Sequence, residues 1–131
     1  MKRSIRSLVM ALSVASAIGM ASTVSFAKAT LKMVTVKGEI LDMKCYSTAG
    51  ATGRTHGKGC GKMCLNSGLP AGILVHGHAW TLVVDPHVLA NYVGDQAKVT
   101  GQIDKATHVV IPSRILVKAH GEWKTVKLAA K

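Results

Sequence analysis

Alternating apolar and polar positions fill most of the chain after its first 30 residues. The segment LKMVTVKGEILDM, residues 31–43, places polar residues between apolar ones, and this period of two predicts a strand. Gly38 in its middle indicates a bulge or a sharp coil. The segment AGILVHGHAWTLVVD, residues 71–85, has two β-rich halves around Gly77, which predicts a hairpin of two more strands.

A short helix is predicted after the hairpin, in the segment PHVLANYVG at residues 86–94. Asp85 before Pro86 fits a helix cap with proline in the first turn, and Gly94 fits the end of the helix. Three further alternating segments predict strands, at residues 96–104, 107–119 and 122–129. Pro112 is expected at an edge or a bulge, because proline donates no hydrogen bond to a neighbouring strand.

The predicted order is strand, long loop, strand, strand, short helix, strand, strand and a terminal strand. This is the order of the OB-fold, a Greek-key barrel of five strands with a helix between the third and fourth. The stretch YVGDQAKVTGQID resembles the fourth strand of such barrels. We therefore predict a mainly β domain over residues 28–131, a small OB-fold-like barrel of five to six strands, with a β-sandwich as the alternative.

The first 27 residues have a different pattern. Basic residues precede an uncharged apolar run at residues 8–20, and small residues follow at Ser25 and Ala27. These features predict a secretory signal peptide in residues 1–27, cleaved after Ala27. The apolar run is shorter than the roughly 20 residues that span a bilayer. We expect a periplasmic or secreted protein with no membrane-inserted segment after cleavage.

Charge narrows the choice of partner only slightly. The chain carries a net charge of +11, and its lysines are scattered singly, which is typical of a solvated surface. A basic barrel is also compatible with a module that binds nucleic acid or another polyanion. Export and the small number of aromatic residues argue against nucleic acid as the partner.

A glycine-rich insertion separates the first strand from the hairpin, KCYSTAGATGRTHGKGCGKMCLNSGL at residues 44–69. It contains all three cysteines of the chain. Long loops in compact domains are usually functional or disordered. The concentration of sulfur and imidazole donors favours function, and specifically a metal site in this Cys- and His-bearing loop.

The spacing of the donors shows how one ion could be held. Cys60 and Cys64 are four residues apart, so a helical turn would place them on one face. On a continuous helix His56 would lie about 12 Å from Cys64 along the axis, but glycines at positions 57 and 59 allow the chain to fold back. Cys45 would supply the remaining donor. The predicted ligand set is therefore Cys45, His56, Cys60 and Cys64.

Two ions fit this set. A Cys3His arrangement is a closed tetrahedral site for zinc, whereas thiolates also select copper(I), with Met43 or Met63 available to assist. Neither a paired general acid and base nor a Ser, His and Asp set is visible. We therefore expect an exported metal-binding protein, for copper handling or structural zinc, and not an enzyme.

The segments GEILDMKCY and HGKGCGKMCLNSGLPAGILV resemble a group of small exported bacterial proteins that have no established activity. The cysteine pair with three residues between its members also resembles the motif of exported copper-delivery proteins, and small exported OB-like barrels include copper metallochaperones. The resemblance implies a shared metal site and, as partner, another exported metalloprotein. It names no ligand. The metallochaperones differ in carrying their Met, His and Trp donors on strands and not in a loop, and the thioredoxin-like fold of the copper-delivery proteins is not predicted here.

Disulfide chemistry provides the alternatives. Cysteines of exported proteins usually form disulfides, and a bond from Cys45 to Cys60 or Cys64 would close the insertion and leave one thiol unpaired. Lys58 and Lys62 beside Cys60 would favour its thiolate and hence thiol exchange. The alternatives are thus a periplasmic thiol/disulfide redox protein and a binding module stabilised by a disulfide.

Overall fold

A computed structural model describes residues 32–128 of the chain. The strands are β1 (Lys32–Asp42), β2 (Ala71–Val75), β3 (His78–Leu82), β4 (Gln96–Asp104), β5 (Val109–Ala119) and β6 (Glu122–Val126). The helical elements are α1 (Met43–Ala49), α2 (Gly53–His56), a π-helical turn (Gly57–Gly61), α3 (Lys62–Asn66) and a 3-10 helix (Pro86–Tyr92). The predicted signal peptide and its cleavage position lie outside the described residues.

The strands form one sheet in the order β3-β2-β1-β4-β5-β6, and neighbours in this order are antiparallel. Strand β3 also pairs in parallel with β5, where Thr81 lies opposite Val109 and Leu82 opposite Val110. Each strand from β1 to β5 therefore has a partner on both of its edges. The prediction of a mainly β fold is confirmed, and all six strands belong to one sheet, whereas a β-sandwich requires two.

Strand β1 is shared between two partners, and Gly38 marks the change from one to the other. Residues 32–39 pair with β4, and residues 39–42 pair with β2. A Cβ atom at Gly38 would overlap the carbonyl group of Leu74, so the two backbones approach more closely than any other residue would permit. The glycine within the alternating pattern thus identifies the point where β1 bends across the fold.

Pro112 lies at an irregularity in the pairing of β4 with β5, as the sequence predicted. Thr100 is opposite Arg114, but the next residue, Gly101, is opposite Pro112. Ser113 is therefore the extra residue of a bulge. The bulge accommodates the missing amide donor of the proline without breaking the rest of the long strand pair.

The core combines the inner faces of the strands with apolar residues from the helices. Ile40, Ile73 and Ile115 are fully buried on their strands. Leu65 from α3 and Leu89 from the 3-10 helix are also fully buried and belong to the same cluster. The helices are therefore fixed to the sheet by apolar contacts. The predicted helix after β3 is present and is a 3-10 helix.

The insertion between β1 and β2 is helical, although the sequence predicted a loop. Asp42 caps α1 by accepting the backbone N–H of Cys45, and Gly50 ends that helix with a left-handed φ of 63°. The later helical turns, residues 53–66, run almost without interruption except at Gly59, whose φ and ψ are both −105°. Glycine disfavours helix in isolation, so tertiary contacts must hold these turns.

Glycines make those contacts possible, because they let the helical turns touch the backbone that follows the 3-10 helix. A Cβ atom at Gly57 would overlap the carbonyl group of Val93. Gly94 has a φ of +84°, and a Cβ atom there would lie 2.5 Å from the carbonyl carbon of Gly53. The start of α2 therefore rests directly on main chain.

Substitution of Gly94 tests this packing. Gly94→Ala is expected to lower the free energy of unfolding by about 2–5 kcal/mol, because a left-handed alanine costs about 1–2 kcal/mol and overpacking adds about 1–3 kcal/mol. The matched control is Gly121→Ala, since Gly121 has a φ of +88° with nothing within 4 Å of its Cβ position. Urea unfolding of both variants gives the comparison, and equal losses would show that the close approach has no energetic weight.

Candidate metal centre

Asp42 is the residue around which the site is built. It ends β1 and caps α1, and its carboxylate is almost completely buried, with 1% of the residue exposed. Its Oδ1 accepts a hydrogen bond of 2.9 Å from the backbone N–H of Cys45. The N–H of Met43 donates to the carbonyl group of Pro70 at 3.0 Å. These two bonds fix the first turn of α1, and with it the position of Cys45.

Three sulfur atoms converge from two separate parts of the chain. The Sγ of Cys45 lies 3.3 Å from that of Cys60 and 3.9 Å from that of Cys64, and the last two are 3.9 Å apart. All three are free thiols. The cluster reaches from the interior to the surface, because Cys64 is buried, Cys45 is half-buried and Cys60 is exposed.

His56 lies beside the cluster and is held by Asp42. Its Nε2 is 2.7 Å from Oδ2 of that carboxylate, and 17% of its side chain is exposed. A Cβ atom at Gly61 would lie 3.2 Å from the imidazole ring, so the ring packs over this glycine. The glycine-rich sequence therefore provides the space in which the imidazole turns inward.

The ligating atoms fall into two adjoining groups. Within one, the three sulfur atoms of Cys45, Cys60 and Cys64 lie within 4.8 Å of one another. Within the other, the same holds for ligating atoms of Asp42, Cys45 and His56. Cys45 thus belongs to both. The structure brings the three predicted cysteines into one cluster and places His56 next to it, with Asp42 between the imidazole and α1.

Of the two methionines considered as helpers, neither belongs to these groups. Met43 packs its sulfur over Gly72 of β2, where a Cβ atom would overlap it. Met63 is 66% exposed. The donors that the described part of the chain brings together are therefore thiol, imidazole and carboxylate.

The sulfur triangle has nearly the size that a metal ion requires. An ion with bonds of about 2.3 Å to thiolates separates two sulfur atoms by about 3.8 Å at the tetrahedral angle and by about 4.0 Å in a trigonal plane. Two of the three measured distances already match. The third, from Cys45 to Cys60, needs to open by roughly half an ångström. A single ion therefore fits among the three side chains.

The surroundings favour the protonated form of two thiols. The hydrogen bond with Cys60, together with burial and the neighbouring charge of Asp42, raises the pKa of Cys45 to about 12. Burial is the main reason that the pKa of Cys64 is also raised. A metal ion would have to displace these protons, so its binding releases protons and strengthens with rising pH.

The carboxylate is shifted in the opposite direction. Burial opposes the ionisation of Asp42, but hydrogen bonds from the Cys45 N–H and from His56 outweigh it and lower its pKa. Asp42 is therefore a charged group inside the fold, stabilised by the two donors it holds. Its position three residues before Cys45, where an N-cap side chain accepts from the third residue of a helix, is the sequence signal for this role.

Comparisons of the sequence with protein-family models, with curated proteins and with solved structures find no match. Within residues 32–128, no helix combines the length and the apolar character that crossing a bilayer requires. The arguments for function therefore depend on the geometry of the site.

Alkylation kinetics test the environment of Cys45. With a pKa of about 12, the rate at which iodoacetamide modifies Cys45 is expected to keep rising with pH beyond pH 9, because only the thiolate reacts. Replacing the neighbour in Cys60→Ala is expected to shift the rise toward the ordinary thiol range of about 8.5. Mass spectrometry of peptides after short exposures gives the rate at each cysteine. A plateau near pH 8.5 in the unsubstituted protein would contradict the assignment.

The contribution of the buried Asp42 carboxylate to stability can be measured by comparison with that of an exposed carboxylate. Asp42→Ala is expected to lower the free energy of unfolding by about 2–4 kcal/mol, from a lost cap and a lost hydrogen bond to a charged group. Asp85→Ala is the matched control, since Asp85 also caps a helix and bonds the ring of His87 at 2.7 Å, but at the surface. The control should lose less than half as much.

The same comparison has a predicted pH dependence. Because the pKa of Asp42 is lower in the folded state than its ordinary value of 3.8, its contribution is present above about pH 4 and is lost as the pH falls through the folded pKa. The difference between the Asp42→Ala variant and the unsubstituted protein should therefore shrink in acid. A difference that stays constant from neutral pH to about pH 2 would show that the charge is not involved.

Proposed function

We propose that this is an exported metal-binding protein that holds one thiophilic ion on Cys45, Cys60 and Cys64, and that the ion is copper(I). The observation that carries the proposal is the triangle of three free thiols at 3.3, 3.9 and 3.9 Å. Soft thiolate ligands select copper(I), zinc or iron–sulfur clusters among the biological metals. The number of available donors then separates copper(I) from zinc.

Copper(I) is favoured because the three sulfur atoms already converge, and only the 3.3 Å distance from Cys45 to Cys60 has to open, by roughly half an ångström. Zinc in structural sites takes four ligands, and His56 is grouped with Cys45 but not with Cys60 and Cys64. The exposure of Cys60 supports handling over permanent storage, because an incoming or outgoing ligand can reach the ion there. Exchange of copper with another exported metalloprotein is the role that follows.

Zinc is the second candidate, and a specific contact supports it. Histidines that bind metals commonly donate a hydrogen bond from their second ring nitrogen to a carboxylate, which fixes the orientation of the ring. The contact of His56 with Asp42 is of this kind. If His56 completed the set, the result would be the closed Cys3His site expected from the sequence, with a structural role in holding α1 to α3.

Thiol and disulfide chemistry is the third candidate. The Cys45 and Cys60 sulfur atoms form the closest pair, at 3.3 Å, and Cys60 is exposed to a reaction partner. A bond between them would remove two of the three donors. Oxidation and metal binding therefore exclude one another at this site, and a measurement of both together separates them.

We further propose that the sheet is a small OB-like barrel. The support is the pairing pattern, in which the parallel contact of β3 with β5 connects the two ends of the order β3-β2-β1-β4-β5. The 3-10 helix between β3 and β4 has the place that the fold assigns to its helix. The helical insertion then stands at the end of the barrel where β1 finishes and β4 begins.

Export is proposed from the leader sequence, with a periplasmic or secreted product that acquires its ion after transport. The basic run, the apolar core and the small residues before position 28 are the support. The proposed metal ligands lie between residues 45 and 64, outside the leader sequence, so metal binding does not depend on export.

Metal titration of the reduced protein tests the main proposal. One copper(I) ion per chain is expected, with an affinity that falls more than about 100-fold in Cys60→Ser, since even a changed second-layer partner of a ligand costs about 10–100-fold. His56→Ala should weaken copper(I) binding far less than zinc binding. His78→Ala, which removes an exposed imidazole from β3, is the control.

The results of these titrations distinguish a three-thiol copper centre, a Cys3His zinc site and a disulfide. Full copper binding by Cys60→Ser would exclude the three-thiol centre. Zinc bound more tightly than copper(I), and lost in His56→Ala, would favour the closed Cys3His site. A mass lower by two hydrogens after mild oxidation, with metal binding abolished, would show that the disulfide is the competing form.

A further inference from the structure

The helical insertion that carries the thiols has only one sign of charge on its surface. Residues 43–66 contain four basic side chains and no aspartate or glutamate. The four are all exposed: Lys44, Arg54, Lys58 and Lys62. The other lysines of the domain are scattered. This segment is a local positive patch on the same helical turns that carry the thiols.

The acidic residues nearest to this patch are already occupied. Asp42 is buried and bonded to His56, and Glu39 accepts the N–H of Gly53. Asp95 is buried and pairs with Arg54 at 3.0 Å. Among residues 32–128, no carboxylate lies within ion-pair distance of Lys58 or Lys62. Two lysines therefore remain available to a partner.

The patch includes a concave site and not only a convex surface. A cavity of about 160 Å³ lies between the helical turns and the 3-10 helix. Arg54, Lys58 and Lys62 line one side, and Ala90, Asn91, Val93 and Asp95 line the rest. The carboxylate of Asp95 is already paired with Arg54. Water occupies about 30 Å³ per molecule, so the basic cleft, as we name this cavity, has room for a carboxylate side chain. Its donors are cationic groups and one side-chain amide.

The basic cleft and the thiols lie on different faces of the same helical turns. Lys58 and Lys62 both line the cleft, whereas Cys60 between them does not. The Sγ of Cys60 lies instead 3.3 Å from that of Cys45. A helix with side chains is about 10 Å across, close to the screening length of about 8–10 Å at physiological salt. Charge bound in the cleft is therefore felt at the thiols without contact.

This separation suits an acidic partner that exchanges copper. Three thiolates around one monovalent cation carry a net negative charge, which would repel a carboxylate brought to the same face. Lysines on the opposite face attract the acidic group and keep it away from the sulfur atoms. Exposed charges of this kind act mainly on the rate of encounter, and their effect weakens with salt.

We propose that the basic cleft docks an acidic segment of the protein that gives copper to, or takes it from, the three-thiol site. The occupant is a polypeptide with clustered aspartate or glutamate side chains. Its metal-exchange role rests on the proposed function, but the docking itself requires only the charges of Lys58 and Lys62, which pair with no carboxylate of residues 32–128.

Peptide binding tests the docking step without metal. The probes are a synthetic peptide rich in glutamate and its twin with glutamine at the same positions, titrated into the reduced protein. Only the acidic peptide is expected to bind, with an affinity that falls as salt rises. Lys58→Glu/Lys62→Glu should weaken it at least about tenfold, which corresponds to about 1.4 kcal/mol.

A second double variant provides the control for net charge. Lys32→Glu/Lys105→Glu makes the same change at the other end of the sheet, where Lys32 begins β1 and pairs with Ile103. That end is roughly 30 Å from Asp42 along the strand. Peptide affinity should stay within about twofold of the unsubstituted value, and circular dichroism verifies that both variants are folded.

Copper transfer links docking to exchange. Acidic and glutamine peptides that each carry the same two-cysteine copper site are mixed with the copper-loaded protein, and the transfer rate is followed optically. The acidic acceptor should be faster, and Lys58→Glu/Lys62→Glu should remove its advantage.

The outcomes distinguish copper binding at the thiols from docking in the basic cleft. Failure to load copper would overturn the proposed function, while the metal-free titration still decides the cleft. Equal weakening by both double variants, or no preference for the acidic peptide, would overturn the docking site. Binding to vesicles of phosphatidylglycerol but not to the acidic peptide would also overturn it and would assign the charge to a membrane surface.

Discussion

The site depends on the need to satisfy one buried carboxylate. Asp42 is 1% exposed, and an ionised group removed from water is tolerated only when donors surround it. Its two oxygens take a backbone N–H from the start of α1 and a ring nitrogen from the end of α2. The same two bonds place Cys45 and His56. The burial of Asp42 thus explains both the helix cap at the end of β1 and the position of His56, which lies 14 residues later in the sequence.

Glycine supplies the second constraint, which is space. The helical turns that carry Cys60 and Cys64 lie against main chain at Val93, and only a glycine at position 57 permits this approach. Gly61 leaves room for the imidazole of His56. The glycine-rich composition, which by propensity alone disfavours helix, is in this fold a requirement for close packing. Leu65, fully buried among the core residues, then fixes the turns to the sheet.

Some features of the fold and of the site could be predicted from the sequence, and others could not. The strands follow from period-two patterning. Pro112 marks a real irregularity in the pairing, and Gly38 marks a close approach of two backbones with its register unbroken. The closeness of Cys60 and Cys64 also follows from spacing, since four residues make about one helical turn. The approach of Cys45, which lies 15 residues before Cys60, does not follow from spacing. The helical insertion and the role of Asp42 do not follow, because they depend on contacts between Asp42 and His56 and between Gly57 and Val93 that no local pattern encodes. The ring of His56 was expected near the thiols, but its carboxylate partner was not.

The three sulfur atoms differ in ways that bear on how an ion enters and leaves. Cys64 is buried, Cys45 is half-buried and Cys60 is exposed, so Cys60 offers the first contact and Cys64 the most enclosed one. The raised pKa values of Cys45 and Cys64 keep both protonated at neutral pH in the absence of an ion, which limits their attack on disulfides and oxidants. Cys45, Cys60 and Cys64 would hold the ion, and its positive charge would favour the thiolate forms of all three. The two thiols whose pKa values are raised are thus less exposed than Cys60, and Cys60 is the thiol that an incoming or outgoing ligand can reach.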